Sequence, residues 1–119
     1  MTSVEIQVEI ETHDRQLDFD LFETRKLSRG MEKTVQKGVS IRYRGTIEQL
    51  AVDFPSIIEI TIIAFATQVA AQIVANWLYD KIKGRAVKLR IERTEVEIDK
   101  GQIERILMEK MEQTNEEKQ

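Results

Sequence analysis

Most of the chain alternates between apolar and polar residues. Val4, Ile6, Val8 and Ile10 alternate with Glu5, Gln7, Glu9 and Glu11, which predicts a half-buried strand with an acidic outer face. His13 to Gln16 reads as a turn, after which Leu17, Phe19 and Leu21 alternate with Asp18 and Asp20 in a second strand. Residues 24–38 carry a weaker pattern: Arg25 to Gly30 forms a loop, and Met31 to Lys37 fits either a helical turn or a strand. Val39, Ile41 and Tyr43 alternate with Ser40, Arg42 and Arg44 in a third strand that ends at Gly45, and 46–54 either extends the sheet or enters a helix. Val87, Leu89 and Ile91, then Val96 and Ile98, alternate with charged residues and predict a hairpin. A two-residue loop at Arg93 and Thr94 would set Ile91 against Val96, Leu89 against Ile98, Arg90 against Glu97 and Lys88 against Asp99. Asp99 with Gln102 three residues on predicts the start of a last helix, whose stripe is Ile103, Ile106, Leu107 and Met111.

One stretch breaks this pattern. From Ile60 to Tyr79 there are 20 residues without a charge, in a chain that is 33% charged. Ser56 and Glu59 have the spacing of a capping box, and Lys81, Lys83, Gly84 and Arg85 suit a helix end, so the stretch predicts one long apolar helix over about 57–83. Placed at 100° intervals, Gln68, Gln72 and Asn76 gather in a polar stripe, with Ala64, Ala71 and Ala75 beside it.

Such a helix can be covered in three ways. The amide stripe can face water while the rest packs under the sheet. A second copy can pack on the small residues, with the amides hydrogen-bonding across the symmetry axis; Ala64, Gln68, Ala71, Gln72, Ala75 and Asn76 are then the self-association residues. Or the segment can span or lie on a membrane, since about 20 uncharged residues suffice, although its amides are costly in lipid unless paired.

Composition narrows the function classes. A chain of 119 residues with net charge −3 is one α+β domain of ordinary size, expected over 1–113 with 114–119 as a frayed tail. Cysteine is absent and His13 is the only histidine, so disulfides, thiolate sites and multi-histidine metal sites are excluded. His13, Asp14, Asp18 and Asp20 form the best acidic cluster for a hard cation, but a solvated face beside a turn explains them as well. No phosphate loop, nucleophile elbow or paired-carboxylate motif is present, so neither a catalytic residue nor a cofactor is implied. The N-terminus lacks the basic start and apolar run of a secretory signal, and cytoplasmic residence is the expectation.

Charge is segregated along the chain, with +6 over 25–44 and +5 over 81–93 between acidic segments. Arg25, Lys26, Arg42, Arg44, Lys88 and Arg90 could form one patch for phosphate groups on nucleic acid or lipid. Basic strands lying beside acidic ones and neutralising them is the alternative, favoured because the basic segments lack interleaved aromatics apart from Tyr43.

The helix ending Trp77-Leu78, the basic link Lys81 to Arg85, the hairpin V-K-L-R-I-E-R-T-E-V-E-I-D and the final helix together resemble the small constant-component, effector-associated domains of prokaryotic conflict systems, over residues 56–113. The resemblance implies a non-enzymatic accessory or signal-coupling part that acts through protein contacts. The expectation is therefore an α+β domain with a mostly antiparallel sheet of four to five strands, packed by the 57–83 helix and a C-terminal helix over about 100–113. Its function would be that of an interaction or oligomerisation module, with a homo-oligomer or another protein as partner. Membrane attachment and phosphate binding are the alternatives.

Overall fold

In the computed structural model, which describes residues 3–49 and 53–117, one antiparallel sheet carries every helix on the same face. The elements in chain order are β1 (Ser3–Thr12), α1 (Leu17–Phe22), β2 (Glu32–Gln36), β3 (Val39–Ile47), β4 (Ser56–Phe65), α2 (Gln68–Ile82), β5 (Ala86–Ile91), β6 (Thr94–Val96) and α3 (Lys100–Glu117). Among the described residues the sheet has six strands, in the order β2-β3-β4-β1-β5-β6. The first strand of the chain therefore lies at the centre of the sheet.

The alternation in β1 does what it predicts. Val4, Ile6, Val8 and Ile10 are buried, and each faces an inward residue of β4: Ala64, Ile62, Ile60 and Ile58. Val39, Ile41 and Tyr43 from β3, with Leu89 and Ile91 from β5, complete the sheet's share of the core. The charged partners of these residues project from the opposite face, which no described element covers. On the inner face α3 lies across β1, β5 and β6; α2 packs beside it toward β3, and α1 packs against α2.

Four expectations need correction. The 57–83 segment is two elements: β4 pairs along its whole length with β1, and the helix begins only at Gln68. Ile57, Ile58, Ile60, Thr61, Ile62 and Ile63 are β-branched and suit a strand between two neighbours, where β1 and β3 satisfy both edges. Ser56 consequently starts a strand, and Thr67 caps α2 by accepting the Ala70 amide at 3.1 Å. A membrane-spanning 57–83 helix falls with this: no helix among the described residues is long and apolar enough to cross a membrane.

The second correction concerns Leu17 to Phe22, which form a helix rather than a strand. Leu17, Asp18, Leu21 and Phe22 all turn inward, an i, i+4 pattern that the alternating aspartates disguise. Third, the sheet has six strands rather than four to five, because 32–36 settles as an edge strand and 56–65 enters as β4 while 17–22 leaves it; nor does Gly45 end β3. At Gly45, φ is +146° and the strand bulges, with the Arg29 guanidinium 3.3 Å from where a β-carbon would stand; β3 then runs on to Ile47. Residues 50–52, within the stretch that could have formed a helix, lie outside the described residues.

Fourth, the hairpin turns one residue earlier than expected. Glu92 and Arg93 form the turn, so that Leu89 faces Val96 and Arg90 faces Glu95. The shift is even, so every side chain keeps its face. Asp99 caps α3 as expected, accepting the Gln102 amide at 3.0 Å, and the helix continues past 113 to Glu117.

Candidate functional site

α2 has two unlike sides. Ala70, Ala71, Val74, Ala75, Leu78 and Ile82 are buried against the sheet and α3, where small residues let the helix approach closely. Gln68, Val69, Gln72 and Asn76 face outward and are exposed. Val69 keeps 65% of its surface in water, and Phe65, two residues before the cap, keeps 41%. Alongside them is an open hollow of about 420 Å³, lined by Gln68 of α2 and by Gly101, Glu104, Arg105, Met108 and Glu112 of α3. Arg105 is held along its own helix by Gln102 Oε1, at 2.8 and 3.2 Å. The result is an uncharged, partly apolar strip bordered by the acidic outer side of α3.

The structure separates the six residues assigned to self-association. Gln68, Gln72 and Asn76 share the exposed side of α2, whereas Ala71 and Ala75 are fully buried beneath it and Ala64 lies in β4 with 2% exposure. The three alanines are covered by the chain's own sheet and helices. Val69, which adjoins the amide strip, was hidden because a helix starting near 57 places it inside a continuous apolar rod, whereas Phe65, which the same helix would place within the polar stripe, ends β4 out of phase with its inward residues. The signal that exposes Val69 is Thr67, a capping residue directly before the first polar turn of α2.

The basic residues are also divided. Arg42, Arg44, Lys88 and Arg90 project from the uncovered face of the sheet, each beside a carboxylate. Arg42 reaches Glu32 at 3.1 Å and Glu5 at 3.3 Å, and Arg44 reaches Glu59 at 3.7 Å. Lys88 reaches Glu95 at 3.7 Å and Glu11 at 3.9 Å, and Arg90 reaches Glu11 at 3.3 Å. Across the sheet the columns run acid, base, acid, acid, base, acid, from Glu32 on β2 to Glu95 on β6. Arg25 and Lys26 sit in the loop after α1 and are not in this array. The array pairs each of these four cations with a carboxylate.

The acidic cluster near His13 is dispersed in the same way. Asp18 points inward with 9% exposure and accepts from the Phe19 amide at 2.8 Å and from Thr46 Oγ1 at 2.9 Å. Because the Thr46 hydrogen goes to Asp18, Tyr43 donates its hydroxyl to Thr46 at 2.6 Å. Asp14 and Asp20 instead grip Arg85, each at 2.6 Å. The Arg85 hydrogen bond is the main reason that the Asp14 carboxyl lies below its ordinary range, aided by the Gln16 amide, while Asp14 in turn raises Arg85. Among the described residues no group of three or more histidine, aspartate or glutamate side chains is placed to hold a metal ion.

Comparison with protein-family models, with characterised proteins and with solved structures gives no match in any of the three.

Proposed function

We propose that this chain is a non-catalytic interaction module that pairs with a second copy of itself through the outward side of α2. What supports the reading is the exposure of Val69 within a strip of uncharged amides, in a chain one third of whose residues are charged. Two such helices crossing antiparallel about a two-fold axis near Gln72 would set Val69 of each copy against Asn76 of the other. The Gln72 side chains would then hydrogen-bond at the axis and fix the register. The accessory or signal-coupling role implied by the resemblance, and residence in the cytoplasm, belong to the same proposal.

Sedimentation velocity tests it. The expected result is a dimer at about 100 μM, a concentration that detects even modest affinity. Val69→Glu should return the monomer, because the interface would bury an unpaired charge. A wild-type chain that sediments as a monomer at that concentration removes the proposal.

A further inference from the structure

Acid and base alternate across the uncovered face of the sheet except at its centre, where Glu59 of β4 and Glu9 of β1 are direct cross-strand partners. Like charges so placed oppose one another. Glu59 has Arg44 at 3.7 Å. Glu9 has no cation, because Arg90, its partner on β5, leans away to Glu11 at 3.3 Å. Glu9 is half-buried, and its carboxylate takes part in no ion pair or hydrogen bond among the described residues.

A free cation faces the same place. The β5–β6 turn consists of Glu92 and Arg93, both left-handed, at φ 48° and 70°, a conformation costly for residues with side chains. Two hydrogen bonds offset that cost at Glu92: its amide donates to the Gln7 carbonyl at 2.8 Å, and its Oε2 accepts the Gln7 amide at 2.6 Å. Arg93 has no such compensation, since its side chain makes no ion pair or hydrogen bond among the described residues. Together with Gln7, Glu9, Arg44 and Glu59 it lines a hollow of about 200 Å³. Gln7 adds a donor there. Its Oε1 accepts the Thr61 hydroxyl at 3.0 Å, which leaves the Nε2 hydrogens unused, and it stands two residues from Glu9 on the same side of β1.

The structure assigns this hollow as a binding site for a free α-amino acid, its ammonium between Glu9 and Glu59 and its carboxylate on Arg93 and Gln7 Nε2. A free acid and a free base line one hollow yet stand too far apart to pair with each other. A small zwitterion lying between them satisfies both and adds no net charge. A simple amine would leave Arg93 unused, and an inorganic anion would meet two carboxylates. The hollow is smaller than the about 300 Å³ at which pockets for drug-sized ligands begin, which suits a molecule of few heavy atoms. An occupant also accounts for an arginine at a left-handed position where glycine would fold more easily. The site lies on the face of the sheet opposite α2 and does not depend on the dimer.

The probe is glycine, titrated at constant ionic strength into the ¹⁵N-labelled chain at about pH 6, where the α-amino group is charged. The Arg93 Nε–H and Gln7 side-chain amide signals should shift and saturate, with a Kd near about 1–10 mM because the site is open to water. N-acetylglycine, which lacks the ammonium, and glycine methyl ester, which lacks the carboxylate, should each bind at least about tenfold more weakly. Glu9→Gln should remove the preference over N-acetylglycine. Arg93→Gln, followed by the Gln7 signal, should remove the preference over the ester. If either variant fails to fold, the three probes on the unaltered chain decide. No saturable shift up to about 100 mM glycine, equal binding of the three compounds, or unchanged preferences in a folded variant would each overturn the assignment.

Discussion

Arg85 shows how much a single residue can tie together. Its guanidinium holds Asp14 before α1 and Asp20 within it, and its backbone carbonyl accepts the Thr12 hydroxyl at 2.7 Å. The Thr12 oxygen in turn accepts the Asp14 amide at 2.9 Å. The end of β1, the whole of α1 and the start of β5 are thus fastened at one point. Arg85→Ala should cost about 1–2 kcal/mol in urea unfolding, because the pairs are charge-assisted but partly wet. The pH dependence follows from Asp14, whose folded carboxyl titrates below its ordinary value. Its contribution is complete well above the ordinary aspartate value and is lost as pH falls through the lowered folded value, so Asp14→Asn should flatten the acid limb of a stability profile. Arg93 offers the opposite test. At φ 70° with no ion pair, Arg93→Gly should stabilise the chain by about 0.5–1 kcal/mol in the same assay.

At the scale of elements, the corrections to β4 and α2 yield a paired prediction. Thr67→Ala should cost about 1 kcal/mol by removing the cap of α2, while Ser56→Ala should cost little, since Ser56 opens a strand rather than a helix; thermal melting of both variants checks this. Ile60→Ala, at the fully buried centre of β4, should cost about 2–5 kcal/mol. β1, β3, β5 and the cap of α3 were legible because each apolar position alternates with a charged one, or precedes a helix at capping distance. β4 was not, because its outward positions Ile57, Thr61 and Ile63 are also uncharged, and a strand without contrast between its faces loses its period of two. Thr61 shows why that face tolerates so little charge at its centre: it is 2% exposed and donates to Gln7 Oε1 at 3.0 Å. α1 was misread because six residues with inward Leu17 and Leu21 satisfy both periods, and only the burial of Asp18, satisfied by Thr46, decides for the helix. The amides of the candidate site were legible for the same reason that the alanines were misplaced. A wheel begun at Gln68 puts Ala71 and Ala75 toward the sheet, whereas continuity with Ala64 had suggested a single surface.

Across the whole molecule, one face of the sheet carries the helices and the other a set of mutually neutralising charges. The edges are treated differently. β2, at one margin, turns Lys33 toward the helix side, where it meets Glu23 at 2.8 Å and lowers that carboxyl's pKa, a charged residue that discourages further strands. The short β6, three residues long, forms the other margin. Because the ion pairs of the uncovered face are individually weak, raising sodium chloride from about 0.05 to 1 M should lower the unfolding free energy by no more than about 1–2 kcal/mol in total. A larger loss would mean that the paired columns contribute more than exposed pairs ordinarily do.

The central place of β1 has a bearing on how the protein is made. β1 comes first among these strands and is the one around which the sheet closes, yet Gln7 waits for a partner 85 positions later. Pairing across such separations is slow, and no early half of the chain holds a complete core. During synthesis this domain should therefore stay protease-sensitive until α3 emerges, and then become resistant in a single step.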